Sequence, residues 1–195
     1  MAWCLIRFGY LGDPRLQKAI NWITSYQRFD DIVKDKPTGW PYDKRDSCWG
    51  RHTCHYGTIK TLKALAEIPP GRRAKKVRDT INQGVEYFLK HHIYKRSHNL
   101  ERIAKPIWLK LGFPLMWNTD ILEILGIMLK LEARDKRIND AVDIISSKRN
   151  QEGRWILENT FNGRTRARIE QKGKPSKWVT LKALSVLTQL FGEKD

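Results

Sequence analysis

The chain has 195 residues, 41% of them apolar, which is enough to bury a full core. Its 37 Lys and Arg against 21 Asp and Glu give a formal net charge of +16, which attracts polyanions such as nucleic acid, anionic lipid or diphosphates. No stretch approaches the roughly 20 apolar residues of a membrane span, the N-terminus lacks the regions of a secretory signal, and the three cysteines Cys4, Cys48 and Cys54 make no disulfide framework, so a cytoplasmic location is expected.

Read in chain order, the sequence repeats itself. Leu5 to Arg15 matches Ile127 to Arg137 at an offset of 122 residues (137 against 15), so residues 1–9 read as the tail of a helix. The match continues through the next helix, where Arg15 to Ser25 parallels Arg137 to Ser147. Leu16, Ala19, Ile20 and Ile23 in the first copy, and Ile138, Ala141, Val142 and Ile145 in the last, keep helical spacing on one face. A middle copy carries Ile81, Gly84, Val85 and Phe88 at the same spacing.

A second helix type alternates with these. Thr61-Leu62-Lys63-Ala64-Leu65 recurs unchanged as Thr180-Leu181-Lys182-Ala183-Leu184, and residues 119–129 form an intermediate copy that is apolar around most of its circumference. The patterns predict six helices in three pairs, over about 14–28, 52–68, 75–93, 115–132, 136–149 and 176–191. The longest connections are 30–49 and 151–174, and no strand is predicted. The fold expected is all-α, one repeat domain over 1–195 that lacks N-terminal repeats. A partial repeat array exposes an unpaired face, which predicts a homodimer or a shortened piece of a larger repeat protein.

The runs Ser47 to Cys54, Gly112 to Met116 and Lys172 to Leu181 resemble those of the prenyltransferase/squalene-oxidase repeat family. The Gly153-Arg154-Trp155 step resembles half of the glutamine-tryptophan repeats of squalene cyclases, with Arg149 where the glutamine stands. The likeness covers nearly the whole chain. It implies an α/α-toroid of the terpene-cyclase and protein-prenyltransferase type, in which an isoprenoid is held in an aromatic cavity at the inner-helix N-termini. The Asp-x-Asp-Asp acid motif of squalene cyclases is absent, and the chain supplies about half of a toroid's helices.

The segment Asp46 to His55 carries the densest chemistry. A helix beginning near Cys48 would set Cys48, His52 and His55 on one face. Asp46-Ser47-Cys48 resembles part of the zinc site of prenyltransferase β subunits, which implies zinc on Asp46, Cys48 and His52. The same residues also read as a helix cap and a packed helix start. His52 and Asp120 are the acid-base candidates; Asp120 equally complements a helix dipole.

Trp49, Phe113, Trp117 and Trp178 are candidates to line the cavity, or equally to pack a core. Arg164, Arg166 and Arg168 make a basic loop able to clamp a diphosphate. His91, His92 and His98 read as solvated surface. The leading expectation is an isoprenoid or other anionic small-molecule ligand, processed if the protein is an enzyme. The rival is a non-catalytic scaffold for a protein or nucleic-acid partner; nucleic acid is the weaker expectation, because no dedicated motif concentrates the charge.

Overall fold

The computed structural model describes residues 1–44, 48 and 50–192. Among these, seven α-helices and one two-stranded hairpin fall into two compact units, Met1–Tyr87 and Phe88–Asp195.

In the first unit, α1 (Ala2–Arg7) leads through a 3-10 turn to α2 (Pro14–Tyr26), and α3 (His55–Leu65) follows the long connection. Local chemistry fixes the start of α2. Asp13 accepts from the Arg15 amide at 2.8 Å, Pro14 occupies the first helical position, and the Arg15 guanidinium closes back on the same carboxylate. α1 packs on α2 and α3, where Trp3 Nε1 donates to Glu67 Oε1 at 2.9 Å and the Lys63 ammonium lies over the indole. Ile59, Leu62 and Leu65 of α3 are fully buried. The close neighbour of Leu62 is Gly84 on α4 (Lys75–Lys90): a Cβ there would meet Leu62 Cδ2 at 2.6 Å and Phe29 Cε1 at 2.7 Å. Glycine is what lets the two helices approach.

The second unit repeats the plan. α5 (Ile121–Lys130) is buried on nearly every side and packs on α6 (Asn139–Ser147) and α7 (Lys177–Phe191). The Asp13/Arg15 clasp recurs 122 residues on: Asp135 accepts from the Arg137 amide at 2.8 Å and from its guanidinium at 2.9 Å. The recurrent threonine also keeps its place. Thr61 Oγ1 donates to Gln27 Oε1 in the first unit, and Thr180 Oγ1 accepts from the Trp155 amide in the second. Trp155 is fully buried and donates to the Ile145 carbonyl at 2.6 Å.

Among the described residues the fold is mainly helical but not all-α. Lys95–Arg96 (β1) pairs antiparallel with Asn99–Ile103 (β2). These strands are mostly exposed and charged, so they lack the apolar alternation by which strands are recognised. The turn before them also corrects the reading of two histidines. His91 is buried with Nδ1 2.9 Å from the Lys95 carbonyl, and His92 lies 3.7 Å from Asp140. His98 is exposed, as expected.

Candidate functional site

Each unit holds its own group of chemistry-bearing residues. In the second unit they gather at the N-terminal ends of α5 and α7. Asp120 caps α5: Oδ1 accepts from the Glu123 amide at 2.8 Å and Oδ2 from the Gly112 amide at 2.9 Å. Its side chain is buried, and burial raises its pKa to about 6, against the lowering effect of the two amide bonds. The Gly112 bond draws the next residue, Phe113, close to α7. Phe113 stacks on Trp178 with ring centroids 5.1 Å apart and planes 14° from parallel. The Lys182 ammonium lies 5.3 Å from the Phe113 centroid, one turn along α7.

The start of α7 is fixed by Ser176, whose Oγ accepts from the Val179 amide at 3.0 Å. Ser176 Oγ in turn donates to Glu170, and Glu170 accepts from the Lys177 amide. Beside this, Trp117 meets Phe161 edge-on at 4.7 Å, and Phe161 opens the basic loop. Arg164, Arg166 and Arg168 are all exposed on that loop, which Asn162 braces by donating to the Glu170 carbonyl at 2.6 Å. The structure therefore pairs Phe113 with Trp178 and places Trp117 at the root of the arginine loop. It does not make these aromatics the lining of a buried core: Trp117 is 62% exposed and Trp178 is 40% exposed. Lys182 and Phe161 were not singled out by sequence reasoning. Lys182 sits four residues after Trp178, a spacing that could have flagged it.

In the first unit, α3 begins at His55 with Cys54 as its N-cap, not near Cys48. His52 thus lies before the helix, and the single helical face expected for Cys48, His52 and His55 does not form. Cys54 makes no side-chain capping bond, so no sequence signal marks this start. His52 is exposed, with Nδ1 3.8 Å from Asp31 Oδ1. His55 is buried, with Nδ1 3.3 Å from the Tyr87 hydroxyl, which donates onward to the Thr53 carbonyl at 3.1 Å. That chain requires His55 Nδ1 to carry its proton. Burial first, then the nearby Asp31, raises the Tyr87 pKa well above the usual phenol range. Cys48 is half-buried and its carbonyl accepts from the Cys54 amide.

Asp46 and Trp49 lie outside the described residues. Among the described residues, no group of three His, Cys, Asp or Glu side chains is placed to hold a metal ion. Cys48 and His52 are two of the three ligands expected, and the third, Asp46, is not among the described residues.

No protein-family model, curated protein or solved structure matches the chain.

Proposed function

We propose that this chain is an isoprenoid-handling protein of the α/α-toroid class, holding the apolar tail of its ligand at the N-terminal ends of α5 and α7. One observation carries the proposal: the Phe113–Trp178 stack, with a raised-pKa carboxyl, Asp120, bonded to the residue just before Phe113. Alternating helix pairs with a recurring clasp and a recurring threonine support the repeat architecture it presumes. Aromatic faces accept polyisoprenoid chains by dispersion and stabilise cationic character. The exposed arginines of the 164–168 loop suit a diphosphate, which guanidinium groups bind in bidentate fashion.

In a cyclase-like catalytic form, Asp120 would be the proton donor. Its role then requires the Gly112–Asp120 contact to open. The prenyltransferase form would carry zinc on Asp46, Cys48 and His52. Metal analysis of wild type against Cys48→Ala decides between the two forms.

A titration with farnesyl diphosphate, followed by tryptophan emission, tests the proposal. Saturable quenching that is lost in Trp178→Ala supports it. No saturable change, or the same change in the variant, sinks it.

The exposure of Trp117 and Trp178, and of the arginines on the loop that Trp117 abuts through Phe161, favours one second reading, a single-stranded nucleic-acid surface on which bases stack. Its signature is oligonucleotide affinity that falls steeply with salt.

Among the described residues, no helix is long and apolar enough to cross a membrane.

A further inference from the structure

The three cysteines are free and half-buried, and the fold sorts them into a pair and a single. The Cys54 amide donates to the Cys48 carbonyl at 3.3 Å. Ordinary bond geometry then sets the two Cα atoms about 5–6 Å apart, the separation at which disulfides form. Cys4 is elsewhere. Its neighbour Trp3 meets Lys63 and Glu67, towards the C-terminal end of α3, whereas Cys54 caps the opposite end. α3 is 11 residues long, so roughly 15 Å of helix axis separates those ends.

The backbone holds Cys54 from both sides. Before it, the Thr53 amide donates to the Asp30 carbonyl at 3.0 Å, and the Asp30 amide donates to Thr53 Oγ1 at 2.8 Å. After it, the Cys54 carbonyl accepts from the Thr58 amide at 3.0 Å and from the Thr58 hydroxyl at 3.1 Å. The Cys54 side chain makes no capping bond of its own. A sulfur is thus fixed at a helix start without a capping duty, and a second thiol stands one backbone hydrogen bond away.

The geometry points to a reversible disulfide between Cys48 and Cys54, an oxidation site that staples the end of the 30–49 connection to the start of α3. The oxidant is a small disulfide of the glutathione type. One cysteine thiolate attacks a sulfur of glutathione disulfide and releases the first glutathione. The other thiolate attacks the protein sulfur of that mixed disulfide, closes the Cys48–Cys54 bond and releases the second. Two protein thiols give up two electrons and two protons, and one glutathione disulfide becomes two thiols. The bond closes only the short loop 48–54, so it constrains the unfolded chain less than a long-range cross-link would and stays reducible. The inference does not rest on the isoprenoid reading. It does make oxidation and the zinc set of Asp46, Cys48 and His52 mutually exclusive, because that set needs the Cys48 thiolate.

A titration of the full chain in glutathione buffers tests this, with a chelator present so that no metal masks a thiol. Acid quenching, alkylation and mass spectrometry should show Cys48 and Cys54 protected together, without added glutathione, while Cys4 still alkylates. Trypsin cuts after Arg45, Arg51 and Lys60, so it should release residues 46–51 and 52–60 as one cross-linked pair that dithiothreitol separates. Half-conversion should need roughly tenfold less glutathione disulfide than modification of Cys4 does, because the second thiol is held beside the first. Cys54→Ser, which keeps a helix-capping residue type and is checked for helicity by circular dichroism, should instead hold a glutathione on Cys48. Glutathione found separately on Cys48 and Cys54 of the wild type, at the level seen for Cys4 and with no cross-link, overturns the inference. So does a cross-link that engages Cys4, within one chain or between two.

Discussion

Leu62 and Leu181 sit in the same five-residue sequence, in helices of the same kind, and differ completely in burial. The pentapeptide determines that a helix forms and which side of it is apolar. It does not determine whether that side is covered; that depends on a glycine on a different helix. An apolar stripe in a sequence is thus a statement of capacity, and a neighbour with room at the right position makes it core.

The comparison is sharpest when one substitution is made twice. Leu62→Ala should destabilise the protein by about 3 kcal/mol, through lost burial plus the cavity left behind. Leu181→Ala should cost within about 0.5 kcal/mol when measured on dilute protein. Urea unfolding of both variants checks the contrast, and equal losses would break it. Gly84→Ala should behave like Leu62→Ala and cost roughly 1–3 kcal/mol, because its new methyl group would meet Leu62 and Phe29 well inside contact distance.

The second effect in size belongs to Asp120. Its folded pKa, about 6, lies above the ordinary 3.8, so between those values the folded state holds more protons than the unfolded chain. Stability attributable to this group is therefore full below about pH 4 and falls as pH rises through 6, by on the order of 2–3 kcal/mol. Asp120→Asn should flatten that part of the stability profile between pH 4 and 7, and an unchanged slope would show that the carboxyl titrates normally.

The smallest effect compares the two clasps. Asp13 and Asp135 are both held down to about pKa 2, first by their arginine side chains. Their contributions are present above the ordinary carboxylate range and are lost as pH falls through about 2. Asp13→Ala and Asp135→Ala should each lower the thermal midpoint by a similar small amount, a few degrees at most. A large asymmetry would show that the repeats are not energetically equivalent.

Much of this was readable from the residues. The predicted segments 14–28, 75–93 and 176–191 contain α2, α4 and α7, because strong apolar periodicity and marked ends bracket each of them. The start of α3 was not readable. Asp46 and Ser47 are the residue types that cap helices, whereas Cys54, which occupies the cap, gives no such signal. The Lys95–Ile103 hairpin escaped notice because exposed strands have no buried face to enforce alternation. Site legibility split along the same line. The aromatic residues could be named from the sequence, but that Phe113 stacks on Trp178 depends on an amide at Gly112 reaching a carboxylate eight residues on. His52 and His55 looked alike in the sequence, yet one is exposed beside Asp31 and the other is buried against Tyr87.

The Asp13–Arg15 and Asp135–Arg137 clasps have one more consequence. Each closes between residues only two positions apart, so its formation waits on nothing more distant in the chain. As the polypeptide leaves the ribosome, α2 can be told where to begin once Gln17 has emerged, long before α3 or α4 exists to pack against it. The same instruction is issued again at Asp135. Helix starts are costly to nucleate, and a contact that lowers this cost at a fixed residue also limits frame-shifted helices during synthesis. The clasp thus bears on when a helix begins as well as on how it is capped.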